Sequence, residues 1–102
     1  MDIIEIFKAL SNEKRLQILK WLKEPENYFT LPISEGVSFE KEGVCVSQLH
    51  HKLNVTQSTV SQYLTMLHRA GLLVATRKGK WTYYKRNEEV IKEISNYIAK
   101  EI

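Results

Sequence analysis

Residues 54 to 71 read NVTQSTVSQYLTMLHRAG, and the six from Gln57 to Gln62 hold two amides and three hydroxyls with no charge among them. Such side chains both donate and accept hydrogen bonds. At a helical period Val60, Leu64 and Leu67 share one face, while Gln57, Ser58, Ser61, Gln62 and Thr65 share the other. The solvent face of a small basic protein ordinarily carries Lys and Glu, which favour helix and solubility together. Small amides and hydroxyls in their place suit a surface that another molecule must approach closely.

Charge says what kind of molecule. The 102-residue chain has a formal charge of only +3, but from Gly43 to Asn87 it contains no Asp or Glu. That stretch holds Lys52, Arg69, Arg77, Lys78, Lys80, Lys85 and Arg86, and all three histidines as well. The remainder sets all 12 acids against eight Lys and Arg, so the two parts carry +7 and −4. An acid-free, cationic half-chain is the electrostatic footprint of a phosphate partner.

The elements that must position these residues follow from period and punctuation. "IIEIFKAL" at 3–10 is apolar with helical spacing, and "SN" at 11–12 offers a stop and then an N-cap for "EKRLQILKWLK". In that second helix Leu16, Leu19, Trp21 and Leu22 are the core candidates. Residues 24–43 hold both prolines, two glycines and five Glu against one Lys, and read as an irregular insert with a short strand near "VSF" or "VCV". The insert is longer than the roughly 4 to 6 residues usual for a connection, which marks it as functional or mobile.

Pattern resumes at Ser47. A short helix "SQLHHKL", a turn at "NV" and Thr56 as N-cap make residues 47–70 a helix-turn-helix, with Gly71 as the left-handed stop. "LLVAT" and "WTYYKR" around Gly79 read as a hairpin spanning 72–86. Val90, Ile91, Ile94, Tyr97 and Ile98 form one stripe on a closing helix. The reading is one mainly α domain over residues 1–102, a winged helix-turn-helix with a small β-hairpin.

In that arrangement the second helix enters the major groove of duplex DNA, and the hairpin reaches flanking backbone or minor groove. A face set about 8.5 Å deep between phosphate walls cannot carry carboxylates, whereas Gln pairs with adenine and Ser or Thr with either base or phosphate. Gln57, Ser58, Ser61 and Gln62 are therefore the candidate base contacts. Lys52, Thr56, Thr59, Arg69, Arg77, Lys78 and Lys80 are the candidates for the DNA backbone. Trp81, Tyr83 and Tyr84 have the faces to stack on bases, but alternating aromatics on a strand read first as core.

"ALSNEKRLQILKWL", "VCVSQLHHKLNVTQSTVSQYLTMLHRAGLL" and "RKGKWTYYKRN" together resemble the ArsR/SmtB family of bacterial winged-helix repressors, over most of the chain. The resemblance implies a homodimer joined through the first and last helices, an operator of inverted symmetry, and release by an inducer. Apolar stripes at both chain ends point independently to a twofold partner, with Ile3, Ile4, Phe7, Ile91, Ile94 and Ile98 as interface candidates.

Metal-sensing relatives carry thiolates in a pattern such as Cys-Val-Cys-Asp-Leu-Cys, which aligns here with "CVSQLH". Only Cys45 and His50 keep donor character, against the four ligands of a closed zinc site. The expectation is no metal and no cofactor, with Cys45 a structural thiol and His50 near DNA. Oxidation of Cys45, an effector bound by the 24–43 insert and constitutive binding all stay open as modes of control.

An enzyme is not expected. There is no phosphate-cradling glycine loop, and Ser58, Ser61, His68 and Cys45 have no carboxylate in their segment to orient them. The competing reading is a winged helix used for protein contacts, which would favour aliphatic or aromatic anchors on the exposed helix face. No apolar run nears the roughly 20 residues of a membrane span. Asp2 and Glu5 stand where a basic leader would be, so a cytoplasmic chain is expected.

Overall fold

Asn12 starts a helix because its side-chain oxygen accepts the backbone N–H groups of Lys14 and Arg15, both at 3.0 Å. Caps of this kind open four of the five α-helices among the described residues of the computed structural model, which are 1–30 and 36–102. Helix α1 (Ile3–Leu10) is capped by Asp2, and α2 (Glu13–Lys23) by Asn12. A single 3-10 turn follows at Pro25–Asn27. Strand β1 (Val44–Cys45) leads directly into α3 (Val46–Leu53), and α4 (Gln57–Arg69) follows after Asn54, which adopts a left-handed φ of 56°. Strands β2 (Leu73–Lys78) and β3 (Trp81–Arg86) precede the last helix, α5 (Glu88–Glu101), which Asn87 caps.

The short strand falls at "VC", one of the two places expected, and it turns the hairpin into a three-stranded antiparallel sheet of order β1-β3-β2. Val44 pairs with Tyr84 and Cys45 with Tyr83, so the end of the insert is stitched onto the wing. Just before it, the chain from Ser38 to Gly43 closes on itself. The Glu42 carboxylate accepts from the Ser38 N–H at 2.8 Å, and the Ser38 carbonyl accepts from the N–H groups of Glu42 and Gly43. The rest of the predicted insert, residues 31–35, lies outside the described residues.

Ile6, Ile18, Val44, Leu49, Val60, Leu64, Leu67 and Leu72 are fully buried, so one core is shared by α1, α2, α3, α4 and the start of the wing. Within α2 the inward stripe is Arg15, Ile18, Leu19 and Leu22. Leu16, expected in the core, is exposed, and Trp21 is only half-buried. The reason is Arg15, 8% exposed, which occupies an inward position that a hydrophobic pattern search passes over. Its Nε donates to the Ala9 carbonyl at 2.7 Å and its Nη2 to the Lys8 carbonyl at 3.2 Å, satisfying the open end of α1. Its guanidinium lies 5.6 Å from the Tyr63 ring centre, tying α1 and α2 to α4. No helix among the described residues is long and apolar enough to cross a membrane.

Candidate nucleic-acid interface

Helix α4 is held from below and capped from one end. Val60, Leu64 and Leu67 have no exposed surface, which fixes the rotation of the helix. Gln57, Ser58, Ser61, Gln62 and Thr65 are exposed, as the helical period predicts. At the N-terminus the Thr56 Oγ1 accepts from the Thr59 N–H at 3.2 Å, and the hydroxyls of Thr56 and Thr59 lie 2.8 Å apart. The Ser58 hydroxyl is 3.3 Å from that of Thr56. Three hydroxyls are thus gathered at the positive end of the α4 dipole, an arrangement suited to a phosphate oxygen. Gly71, with φ +83°, closes the other end; its N–H reaches the His68 carbonyl and that of Leu72 the Leu67 carbonyl. Arg69 is exposed in the last turn.

The hairpin turns on Gly79 and Lys80 alone, because Lys78 pairs directly with Trp81. Gly79 has φ +64° at the first turn position, where a type II′ turn takes glycine. Around this tip the Arg77 Nε donates to the Gly79 carbonyl at 3.1 Å and the Lys78 Nζ to the Gly36 carbonyl at 2.6 Å. The Lys80 ammonium lies 5.8 Å from the Trp81 ring centre. The structure corrects the core reading of the strand aromatics at one position. Tyr83 is buried and Tyr84 half-buried, but Trp81 is 48% exposed. It lies on the same face as Tyr83, two residues further out, where the hairpin has outrun the layer that covers it.

Lys52, a backbone candidate, lies among aromatic rings. Its ammonium sits 5.5 Å from the ring centre of Trp21, 5.7 Å from that of Tyr28 and 5.8 Å from that of Phe29. These contacts tie the start of the insert to α3, while Lys52 itself stays exposed. A sequence pattern does not reveal these contacts, because the rings come from α2 and from the start of the insert, both distant in sequence from α3.

Of the twofold-partner candidates, Ile4 and Ile98 are 59% and 47% exposed, while Ile3, Phe7 and Ile91 are half-buried. Ile94 is corrected: at 7% exposed it belongs to the core of its own protomer and has little surface left for another. Met1 and Ile102, both exposed, extend the apolar surface at the chain ends beyond the predicted set.

The Cys45 thiol lies 3.3 Å from the Ser47 hydroxyl and 3.6 Å from the Gln48 side-chain oxygen. Among the described residues no three His, Cys, Asp or Glu side chains gather as a metal site would require.

Away from α4, a cavity of about 660 Å³ opens between the end of α2, the insert and the base of the wing, with Leu22, Phe39, Val74 and Lys85 in its lining. Arg86 and Glu88 form a two-pronged ion pair at its edge, at 2.8 and 2.7 Å. The hydrogen bonds from Arg86 hold the Glu88 carboxyl below its usual range, assisted by the charges of Arg86 and Lys23 and opposed by partial burial.

The family model described as "Bacterial regulatory protein, arsR family" matches residues 38–74. The chain is 58% identical to the "Uncharacterized HTH-type transcriptional regulator YbzH" of Bacillus subtilis over the full length of both. It is 31% identical to the "Arsenical resistance operon repressor" of the same organism, over 94% of this chain and 73% of that one. Among solved structures, it resembles the homodimeric winged helix-turn-helix DNA-binding domain Mb0332 of Mycobacterium bovis with a TM-score of 0.66, at 26% identity, covering 95% of this chain and 75% of that one. An uncharged exposed face on a capped helix, a basic wing and these relatives lead to one assignment: the chain belongs to the ArsR family of winged helix-turn-helix DNA-binding transcription regulators.

Proposed function

We propose that the protein is a homodimeric repressor that binds an inverted-repeat operator in duplex DNA in the cytoplasm and is released by an inducer. The observation that carries this reading is the α4 face: Gln57, Ser58, Ser61 and Gln62 are exposed while Val60, Leu64 and Leu67 are fully buried beneath them. These four side chains read base edges. Thr56, Thr59 and Arg69 hold phosphates next to α4, and Arg77, Lys78 and Lys80 hold them at the wing, Lys78 by exchanging the Gly36 carbonyl for phosphate. Ile4 and Ile98, with Ile3, Phe7 and Ile91 behind them, form the twofold contact that presents two α4 helices to successive major grooves. No catalytic step, metal or cofactor belongs to this role. Because the cavity touches both the insert and the wing base, it favours a small organic effector there over a metal at Cys45 as the inducer.

Selection of bound duplexes from a random pool tests the reading. The expected product is an inverted repeat with half-sites one helical turn, about 10 base pairs, or a multiple of it apart. An Ile98→Glu chain that stays folded should sediment as a monomer and lose tight binding. Failure to retain any duplex in dilute salt would overturn the proposal.

A further inference from the structure

Leaving a tryptophan half-exposed at the tip of a hairpin gives up burial that a side chain of this size normally finds. Trp81 lacks the explanation that the proposed twofold contact offers for the exposed apolar residues at the chain ends. Its surroundings are cationic: Arg77, Lys78 and Lys80 lie within four positions, and the Lys80 ammonium rests against its ring. Within the sheet its direct neighbour across the strand is Lys78, so the indole shares a face with a cation and projects beyond the layer that buries Tyr83. An aromatic ring bracketed by Lys and Arg, with no carboxylate in the segment, is the combination that grips nucleic acid through its non-polar surfaces as well as its phosphates.

We propose that Trp81 is an apolar DNA contact: its indole packs on the deoxyribose edges of the groove that the wing enters, while Lys80, ordered by the ring, bonds the adjoining phosphate. This rests on the DNA-binding reading above and adds to it a sequence-tolerant contact that does not depend on charge. The two kinds of contact are separable by salt. Removing a phosphate contact lowers the slope of log affinity against log salt by about 0.9, whereas removing an apolar contact leaves the slope alone.

The test uses the full-length chain and a fluorescein-labelled duplex carrying the selected site. Trp81→Ala should weaken binding by about tenfold at every salt concentration with the slope unchanged, and Trp81→Phe should recover part of the loss. Lys80→Ala should lower the slope by about 0.9. In a Trp21→Phe chain, where Trp81 is the only tryptophan, duplex should shift its emission and protect it from acrylamide. If the duplex binds while Trp81 emission and quenching stay as in the free protein, and Trp81→Ala binds as well as wild type, the contact is overturned and the DNA reading stands. If Trp81→Ala instead abolishes a concentration-dependent association of the protein with itself and leaves DNA binding intact, the indole serves a protein contact and the proposal falls. A chain that ignores duplex in dilute salt overturns both readings.

Discussion

Helix α4 and the wing tip both face outward, but they are built to opposite specifications. The α4 face is uncharged, and its side chains stand on three residues with no exposed surface, behind a threonine cap. The wing tip is cationic, stands on a two-residue turn, and has its long side chains draped over nearby carbonyls and a ring. Base readout demands that donors and acceptors be held in register before the partner arrives, which calls for short side chains on a rigid element. Gripping a uniform backbone demands only reach and charge. On the proposed function, the contrast places rigidity where sequence would be read and adaptability where the duplex would merely be held.

The most severe way to break this contrast is to loosen the platform. Leu64→Ala removes a fully buried side chain beneath α4 and should cost about 2 to 5 kcal/mol of folding stability, read as the urea midpoint. Operator preference should fade before backbone affinity does. An unchanged midpoint would show that α4 is not clamped as described. Next in size is the reading face itself. Gln62→Ala should cost about 1 to 3 kcal/mol on the selected operator, confined to one or two base pairs of each half-site, with little loss on random duplex. Equal losses on both would erase the distinction between reading and gripping. Smaller again is the cap: Thr56→Ala frees the Thr59 N–H and should destabilise the protein by about 1 kcal/mol in thermal or urea unfolding, and Thr56→Asn should restore most of it.

Much of this contrast was legible in the sequence. The caps at Asn12 and Thr56, the stop at Gly71, the hairpin around Gly79 and the division of α4 into a buried and an exposed face all come from local signals, in which neighbouring residues decide the outcome. What escaped depends on chain segments far apart. Arg15 takes a core position because the end of α1 supplies carbonyls for it, and the rings beside Lys52 come from α2 and from the insert. Ile94 was assigned to a partner because a stripe on a helix does not say which body will cover it. Trp81 was read as core because alternation along a strand says which face a residue shares, but not where the covering layer ends.

The smallest expected effect sharpens the comparison at the wing base, where Arg86 of β3 and Glu88 of α5 are locked together by two hydrogen bonds. Glu88 titrates below its ordinary value of 4.5 because Arg86 bonds its charged form. A carboxyl depressed in the folded state contributes stability above its unfolded pKa and loses that contribution as pH falls through the lower, folded value. Glu88→Gln should therefore be slightly less stable than wild type from neutral pH down to about 5, with the gap closing below the ordinary value as the wild-type carboxyl takes up a proton and loses the charge that the variant never has. Because Glu88 is largely exposed, water screens the pair and the gap should be small. The same titration applied to Thr56→Ala should show a gap that does not depend on pH over this range, since a hydroxyl cap carries no titrating group. If the Glu88→Gln gap instead persists unchanged into acid, as the Thr56→Ala gap should, the wing base is not held by this ion pair, and the two regions are anchored by the same forces after all.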